Sequence, residues 1–323
     1  MAGTAVVLFL AGCGGSGGSE STENSKYESL PYEIPYMSLE GEPGPENVGL
    51  PLGEKLGFFR DVGIQARINS PLHPSRIVRY AYQGVAEAAV AHEPEVVLAR
   101  DEGLPIVIFG SLVAEPTMAI IWLPESGIER IADLKGKTIA YPGVPFQLDF
   151  LEFVLQGAGL TAADVKLEKV GYDLTEALVS GRADAIFGGS GNDEGALLEA
   201  HGLQPAVTDV TELGVPDYDE LVLIASRESY AKDPELFERI LEASIRGNQA
   251  APEDPEAATE AIVSQSLGAA SPKPTRAGVD ATAPLLNQTG EVDEEELEGL
   301  IGWMREEGMI RRSIPAAELL ANP

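Results

Sequence analysis

The chain has 323 residues and a formal net charge of −30, from 52 Asp+Glu against 22 Lys+Arg. That balance excludes nucleic acid as a partner, because neutralising phosphates takes clustered Lys and Arg, and it excludes electrostatic adhesion to anionic lipid. A hydrophobic content of 44% gives ample material for a core and points to two domains of ordinary size, while the single cysteine rules out an intrachain disulfide and a thiolate metal cluster.

At the start of the chain, the short apolar run Ala5–Ala11 leads into Leu10-Ala11-Gly12-Cys13, followed by the run Gly14-Gly15-Ser16-Gly17-Gly18-Ser19. Apolar residues, small residues, one Cys and a flexible polar spacer look like a bacterial lipobox, in which Cys13 carries the lipid. A secretory signal has a basic first region and an apolar stretch of roughly 7–15 residues. No basic residue precedes Cys13, so a start upstream of Met1 is expected. A membrane span is excluded by length, since crossing takes about 20 apolar residues. Residues 1–13 are therefore read as a truncated signal peptide and 14–29 as a flexible linker.

Next, a strand is expected over Ile34–Leu39, a Gly/Pro-rich loop over Gly41–Gly49 and a helix over Leu50–Phe59. Strand Ile64–Ile68, helix Pro74–Gln83 and the short buried strand Ala88–Ala91 follow. Glu93–Glu102 reads as a helix stopped by Gly103, and Pro105–Val113 as a buried strand. The alternation continues with strands Ala119–Leu123, Lys137–Tyr141, Lys166–Val170, Ala183–Phe187 and Leu221–Ser226. Helices are placed at Ile131–Leu134, Phe146–Gln156, Leu174–Ser180 and Asp193–Ala200. From Asp233 onward the pattern is almost wholly helical, and the run Glu291–Glu296 opens a helix, its carboxylates complementing the macrodipole. Short strands alternating with helices predict α/β architecture with parallel sheets.

Catalytic raw material is sparse. Gly188-Gly189-Ser190-Gly191-Asn192 nearly matches a nucleophile elbow, but its fifth residue is Asn. Gly189-x-Gly191 opens a dinucleotide fingerprint that Glu194 breaks. The three histidines, His73, His92 and His201, are scattered, so neither a His-rich metal site nor a Ser-His-Asp triad is expected. No catalytic residue, metal or cofactor is assigned.

Several segments together resemble the substrate-binding proteins of ABC importers, and more narrowly the branch that binds thiamine pyrimidine precursors, related to the pyrimidine-precursor synthases. They are Ala91-His92-Glu93-Pro94-Glu95, Asp133–Gly143 with its Tyr141-Pro142-Gly143 end, Gly171-Tyr172-Asp173-Leu174, Gly181–Ala185, Gly188-Gly189 with Asn192 and Glu194, and Gly214–Glu220. The resemblance runs in order from about Pro35 to the end. It implies a two-lobe periplasmic-binding-protein fold of type II, each lobe a mainly parallel sheet flanked by helices, with the ligand in the cleft between them. Lobe one would hold residues 30–115 plus 221–323, and lobe two residues 116–220, with crossings near Ala114–Met118 and Asp217–Leu221.

The same resemblance implies where ligand is held. In the first loop the candidates are Glu40 and Asn47. Glu93 lies at a strand-to-helix turn, where a first-turn carboxylate on the helix dipole is an equally good reading. Tyr141, Pro142 and Gly143 join a strand to a helix whose N-terminus favours acceptor atoms, and Tyr141 offers a ring to stack. Around the second turn the candidates are Ser190, Asn192 and Glu194. Ser190 and Asp193 fit a capping box, which leaves Glu194 free, and Asn192 with Glu194 suits the amino and ring-nitrogen edge of an aminopyrimidine. Two departures stand out. The family's first loop usually carries a Trp-x-Pro-Asn element where this chain has Gly41-Glu42-Pro43-Gly44, and a Tyr-Trp pair where it has Ser190-Gly191. Both remove rings that would sandwich a pyrimidine.

The implied role is the extracytoplasmic binding component of an ABC importer. It would capture formylaminopyrimidine or hydroxymethylpyrimidine and work as a monomer with a permease and an ATPase, held at the cell membrane only through the lipid on Cys13. A flavin, a sulfonate or a small organic acid is the alternative ligand, and a pyrimidine-precursor synthase-like enzyme the alternative class.

Overall fold

The computed structural model describes residues 32–33, 37–38, 44–69, 74–171, 173–266 and 270–321. The lipobox with Cys13, the linker, Glu40, the stretch Gly41–Pro43, His73 and Tyr172 lie outside the described residues, as does most of the strand expected over Ile34–Leu39.

The strands, in chain order, are β1 (Tyr32–Glu33), β2 (Met37–Ser38), β3 (Ile64–Gln65), β4 (Ile68–Asn69), β5 (Ala88–Ala91), β6 (Ile106–Val113), β7 (Met118–Trp122), β8 (Thr138–Tyr141), β9 (Lys166–Lys169), β10 (Ala185–Ser190), β11 (Ala206–Asp209) and β12 (Leu221–Ser226). The helices are α1 (Gly49–Leu56), α2 (Phe58–Asp61), α3 (Ile77–Tyr82), α4 (Glu93–Asp101), α5 (Pro145–Gly157), α6 (Leu174–Val179), α7 (Ala196–Ala200), α8 (Arg227–Lys232), α9 (Pro234–Glu253), α10 (Pro255–Gln265), α11 (Pro272–Thr282) and α12 (Glu294–Glu306).

Two sheets of five strands carry the architecture among the described residues, ordered β4-β2-β5-β12-β6 and β11-β7-β10-β8-β9. In the first, β4, β2 and β5 pair in parallel, and β12 is antiparallel to both β5 and β6. In the second, β10, β8 and β9 pair in parallel, and β7 is antiparallel to both β10 and β11. Each sheet therefore has one reversed strand. In both cases it is the strand entered directly after the chain crosses from the other sheet: β7 after β6, and β12 after β11. Every residue of β5, β7 and β12 is buried, as continuous apolar runs covered on both faces should be.

The helices end where local chemistry dictates. Asp233, Asp254 and Asp293 accept hydrogen bonds from the first-turn N–H groups of α9, α10 and α12. Pro234 and Pro255 occupy first positions whose N–H has no helical partner anyway. The acidic run near 291 does open a helix, α12, from its Asp293 cap. Helices α1 and α9 touch at Gly49 and Gly247, where a Cβ on Gly247 would collide with the Gly49 carbonyl oxygen.

One apolar cluster runs from α3, α4 and β6 in the first sheet unit through Met118, Phe146 and Phe150 in the second to α12. At its margin the half-buried Trp303 of α12 packs edge-on against Phe150 and Phe153 of α5, with ring centroids 5.1 and 5.0 Å apart. The C-terminal helices are thus not confined to the first sheet unit, since α12 also reaches α5.

Three local expectations need correction. The single strand expected over Ile64–Ile68 is two, β3 and β4. Strand β11 went unpredicted because Ala206-Val207-Thr208-Asp209 is short and half-exposed at a sheet edge. Finally, residues 191–195, partly assigned to an α-helix, form one π turn before α7.

Candidate functional site

The chain crosses between the two sheets at 114–117 and at 210–220, and the side chains there tie the crossings together. Glu220, which is 2% exposed, accepts hydrogen bonds through Oε2 from the backbone N–H of Thr117 (2.7 Å) and Met118 (3.1 Å) and from the Tyr218 hydroxyl (3.1 Å). Its Oε1 lies 2.8 Å from Nδ1 of His92, the residue preceding α4. Burial alone would raise the Glu220 carboxyl, but the hydrogen bond and charge of His92, with the two N–H donors, hold it below the ordinary glutamate value.

A second contact joins the sheets directly. Glu46 Oε1 accepts from Thr117 Oγ1 (2.7 Å) and from Asn192 Nδ2 (3.0 Å). Asn192 Nδ2 also donates to Thr282 Oγ1 of α11 (2.8 Å). The Asn192 amide is therefore committed to a bridge between the two sheet units.

The π turn is the third element. Ser190 Oγ accepts from the Asp193 N–H (3.2 Å), the cap that was expected. The reciprocal bond differs: the Ser190 N–H donates to Glu194 Oε2 at 2.7 Å. Five residues in the turn, rather than four, put the returning carboxylate one position later, so Glu194 is not free as the capping-box reading held. Burial raises both carboxyls, Glu194 to about 7 and Asp193 well above the ordinary aspartate value, with the charges of neighbouring carboxylates adding to it.

Between these elements lies a cleft of about 610 Å³. Its deep wall is formed by Glu46, His92, Thr117, Gln147, Glu194 and Glu220. Gln147, which is 2% exposed, sits in the first turn of α5 and donates through Nε2 to the Gly188 carbonyl at 3.4 Å. Gly188 has φ of +88° at a bulge in β10, and a Cβ there would come within 2.7 Å of Gln147. The next residue, Gly189, is equally constrained, because its Cβ would lie 2.9 Å from the Glu194 carboxyl. Two consecutive glycines thus leave the room in which Gln147 and Glu194 stand side by side. Asp173, Glu176, Asp193 and His201 also line the cleft, and no Lys or Arg does so among the described residues.

Of the sequence-derived candidates, Asn47, Pro142, Ser190 and Glu194 line the cleft. Asn47 Oδ1 accepts from the Gly44 N–H. Tyr141, Gly143, Asn192 and Glu93 lie outside the lining. Tyr141 is half-buried in β8, and the Gly143 carbonyl faces the Lys169 ammonium at 3.5 Å. Glu93 is buried beside the crossing, accepting from the Asp219 N–H at 3.1 Å. Burial and the nearby Asp219 carboxyl push Glu93 well above the ordinary range, and burial raises Asp219 to about 7.

Sequence reasoning missed Glu46, His92, Thr117, Gln147, Asp193 and Glu220 as site residues. A signal existed for some of them: His92 and Glu220 stand inside the two matched stretches flanking the crossings, and Glu46 adjoins Asn47. For Gln147 the sequence points only to its backbone N–H, at the start of the helix after Tyr141-Pro142-Gly143, and nothing in the spacing marks its side chain.

The molecule can now be set beside known proteins. The sequence pattern of the family described as "NMT1/THI5 like" matches residues 45–258. The chain is 28% identical to the formylaminopyrimidine-binding protein of Halalkalibacterium halodurans, over 98% of this chain and 96% of that protein. It is 26% identical to the 4-amino-5-hydroxymethyl-2-methylpyrimidine phosphate synthase of Aspergillus parasiticus, over 68% of this chain and 67% of that one. Among solved structures, the periplasmic aliphatic sulphonate binding protein of Escherichia coli superposes with a TM-score of 0.69 at 16% identity, covering 91% of this chain and 93% of that chain, which shows a shared periplasmic-binding-protein fold. With the family pattern extending over most of the described core, the chain belongs to the NMT1/THI5-like family.

Proposed function

We propose that this protein is the extracytoplasmic binding component of an ABC importer and that it captures a small aminopyrimidine of the formylaminopyrimidine or hydroxymethylpyrimidine type for a permease. Lobe one would comprise 30–115 with 221–323 and lobe two 116–220, closing on the ligand about the paired crossings. Family membership and the end-to-end similarity to a formylaminopyrimidine-binding protein support this role.

The observation that carries the ligand class is the charge of the cleft. Carboxylates of Glu46, Asp193, Glu194 and Glu220 line it, and among the described residues no Lys or Arg does. Sulfonates and small organic acids are held by guanidinium, ammonium or clustered N–H donors, so this wall disfavours them. It suits a ligand rich in N–H donors.

The synthase relatives raise an enzymatic alternative. Among the described residues the cleft lining includes neither Cys nor Lys, which favours binding without turnover. Incubating purified protein with excess formylaminopyrimidine and recovering it by chromatography tests this point. Full recovery of unchanged ligand fits a carrier, and a new pyrimidine product formed in more than stoichiometric amount would overturn it. The tether belongs to the same proposal: Cys13 as a lipidated residue on the outer face of the cell membrane. No helix among the described residues is long and apolar enough to cross a membrane. Metabolic labelling with a fatty acid, lost in Cys13→Ser, tests the anchor.

A further inference from the structure

We infer that Gln147 is the residue that reads the exocyclic amino group of the ligand; this rests on the aminopyrimidine reading of the cleft. The cleft presents many acceptors, and several of the deepest-placed carboxylate oxygens already have protein donors. Glu46 Oε1 takes Thr117 and Asn192, Glu194 Oε2 takes the Ser190 N–H, and both Glu220 oxygens face Thr117, Met118 or His92. Gln147 Oε1 is buried, belongs to a lining residue and has no hydrogen-bond partner.

The amide orientation follows from its surroundings. The Gly188 carbonyl can only accept, so it selects Nε2 of Gln147 as its neighbour and turns Oε1 the other way. A buried carbonyl without a donor is destabilising, and an N–H group on the ligand relieves it. Gly188 holds the amide in place: at φ of +88° it bulges β10 toward α5, and any Cβ there would strike the Gln147 amide. Ser190-Gly191 supplies no stacking ring at this end of the cleft. Selectivity then has to come from hydrogen bonds at the ligand edge, and a site built to pair a ligand N–H rejects the analogue that lacks it.

The test is calorimetric titration of wild type, Gln147→Leu and Gln147→Glu with two probes: 4-amino-5-hydroxymethyl-2-methylpyrimidine and its analogue with methyl in place of the 4-amino group. Wild type is expected to prefer the amino compound by about tenfold or more. Gln147→Leu should bring the two affinities within about threefold, by weakening the amino compound alone, whereas Gln147→Glu keeps an acceptor and should keep the preference. Equal weakening of both probes in Gln147→Leu, or an unchanged preference, overturns the assignment while leaving the aminopyrimidine reading intact. Wild type binding neither probe overturns both.

Discussion

Glu220 is the most exacting test of how the two crossings are held. Replacing it with Ala removes the acceptor for two backbone N–H groups and a tyrosine hydroxyl and the carboxylate beside His92, whose Nδ1 still faces the backbone carbonyl of residue 220. Each buried donor left unpaired costs about 1–3 kcal/mol. Water entering from the cleft recovers part of this, so the net loss should match that of breaking a buried pair, about 3–5 kcal/mol. At the usual slope for domains of this size, the fall in Tm is on the order of 10 °C. Gln at the same position offers one acceptor oxygen instead of two and should lose roughly half as much. Differential scanning calorimetry of wild type, Glu220→Gln and Glu220→Ala should rank them in that order. A Tm for Glu220→Ala within about 2 °C of wild type would refute the claim that this carboxylate ties the crossings together.

Three further outcomes are expected. Asp219 and Glu194 are raised to about 7, and Glu93 and Asp193 are raised too. Between the ordinary carboxylate values near 4 and about 7 the folded chain therefore holds more protons than the unfolded chain, and stability should fall as pH rises through that window. Glu220, held low, contributes the opposite sign, and its contribution is lost only as pH falls below about 4. Thermal melts from pH 5 to 8 check this, and a midpoint that climbs with pH contradicts it. Gly247→Ala gains about 1 kcal/mol of helix propensity but drives a Cβ into the Gly49 carbonyl oxygen. A net loss of about 1–3 kcal/mol should show as a lower urea midpoint at constant slope; a stabilised variant would mean that α1 and α9 separate easily. Asn192→Ala removes two of the hydrogen bonds between the sheet units. It should shift the ligand-free lobes toward an open form by about tenfold, read as a larger radius of gyration by small-angle scattering. An unchanged radius would show that the remaining contacts, the Glu46–Thr117 bond and the Trp303 packing among them, hold them together.

The sequence was legible where one rule dominates. Ala88–Ala91, Leu221–Ser226 and the apolar run before Val113 read as buried strands because every side chain is apolar or small, and the acidic run Glu291–Glu296 marked the start of a helix. It was less legible where geometry depends on distant partners. Strand β11 exists because β7 offers it an edge, not because Ala206–Asp209 prefers extension. The turn at 191–195 fits a capping box until one extra residue makes it a π turn and moves the returning carboxylate from Asp193 to Glu194. In the site, residues beside glycine turns were found, while Gln147 and Glu220 were not. Their importance comes from burial and from what they face, Gly188 in one case and Thr117 with Met118 in the other, and spacing along the chain encodes neither.

The central claim is that an acceptor-lined cleft without Lys or Arg selects an aminopyrimidine over an anion. Calorimetric titration of the purified protein with formylaminopyrimidine, and separately with an alkanesulfonate, tests it most directly. One-to-one binding of the pyrimidine at micromolar Kd or tighter, with no heat from the sulfonate, is the predicted result. Sulfonate binding with no response to the pyrimidine would contradict it.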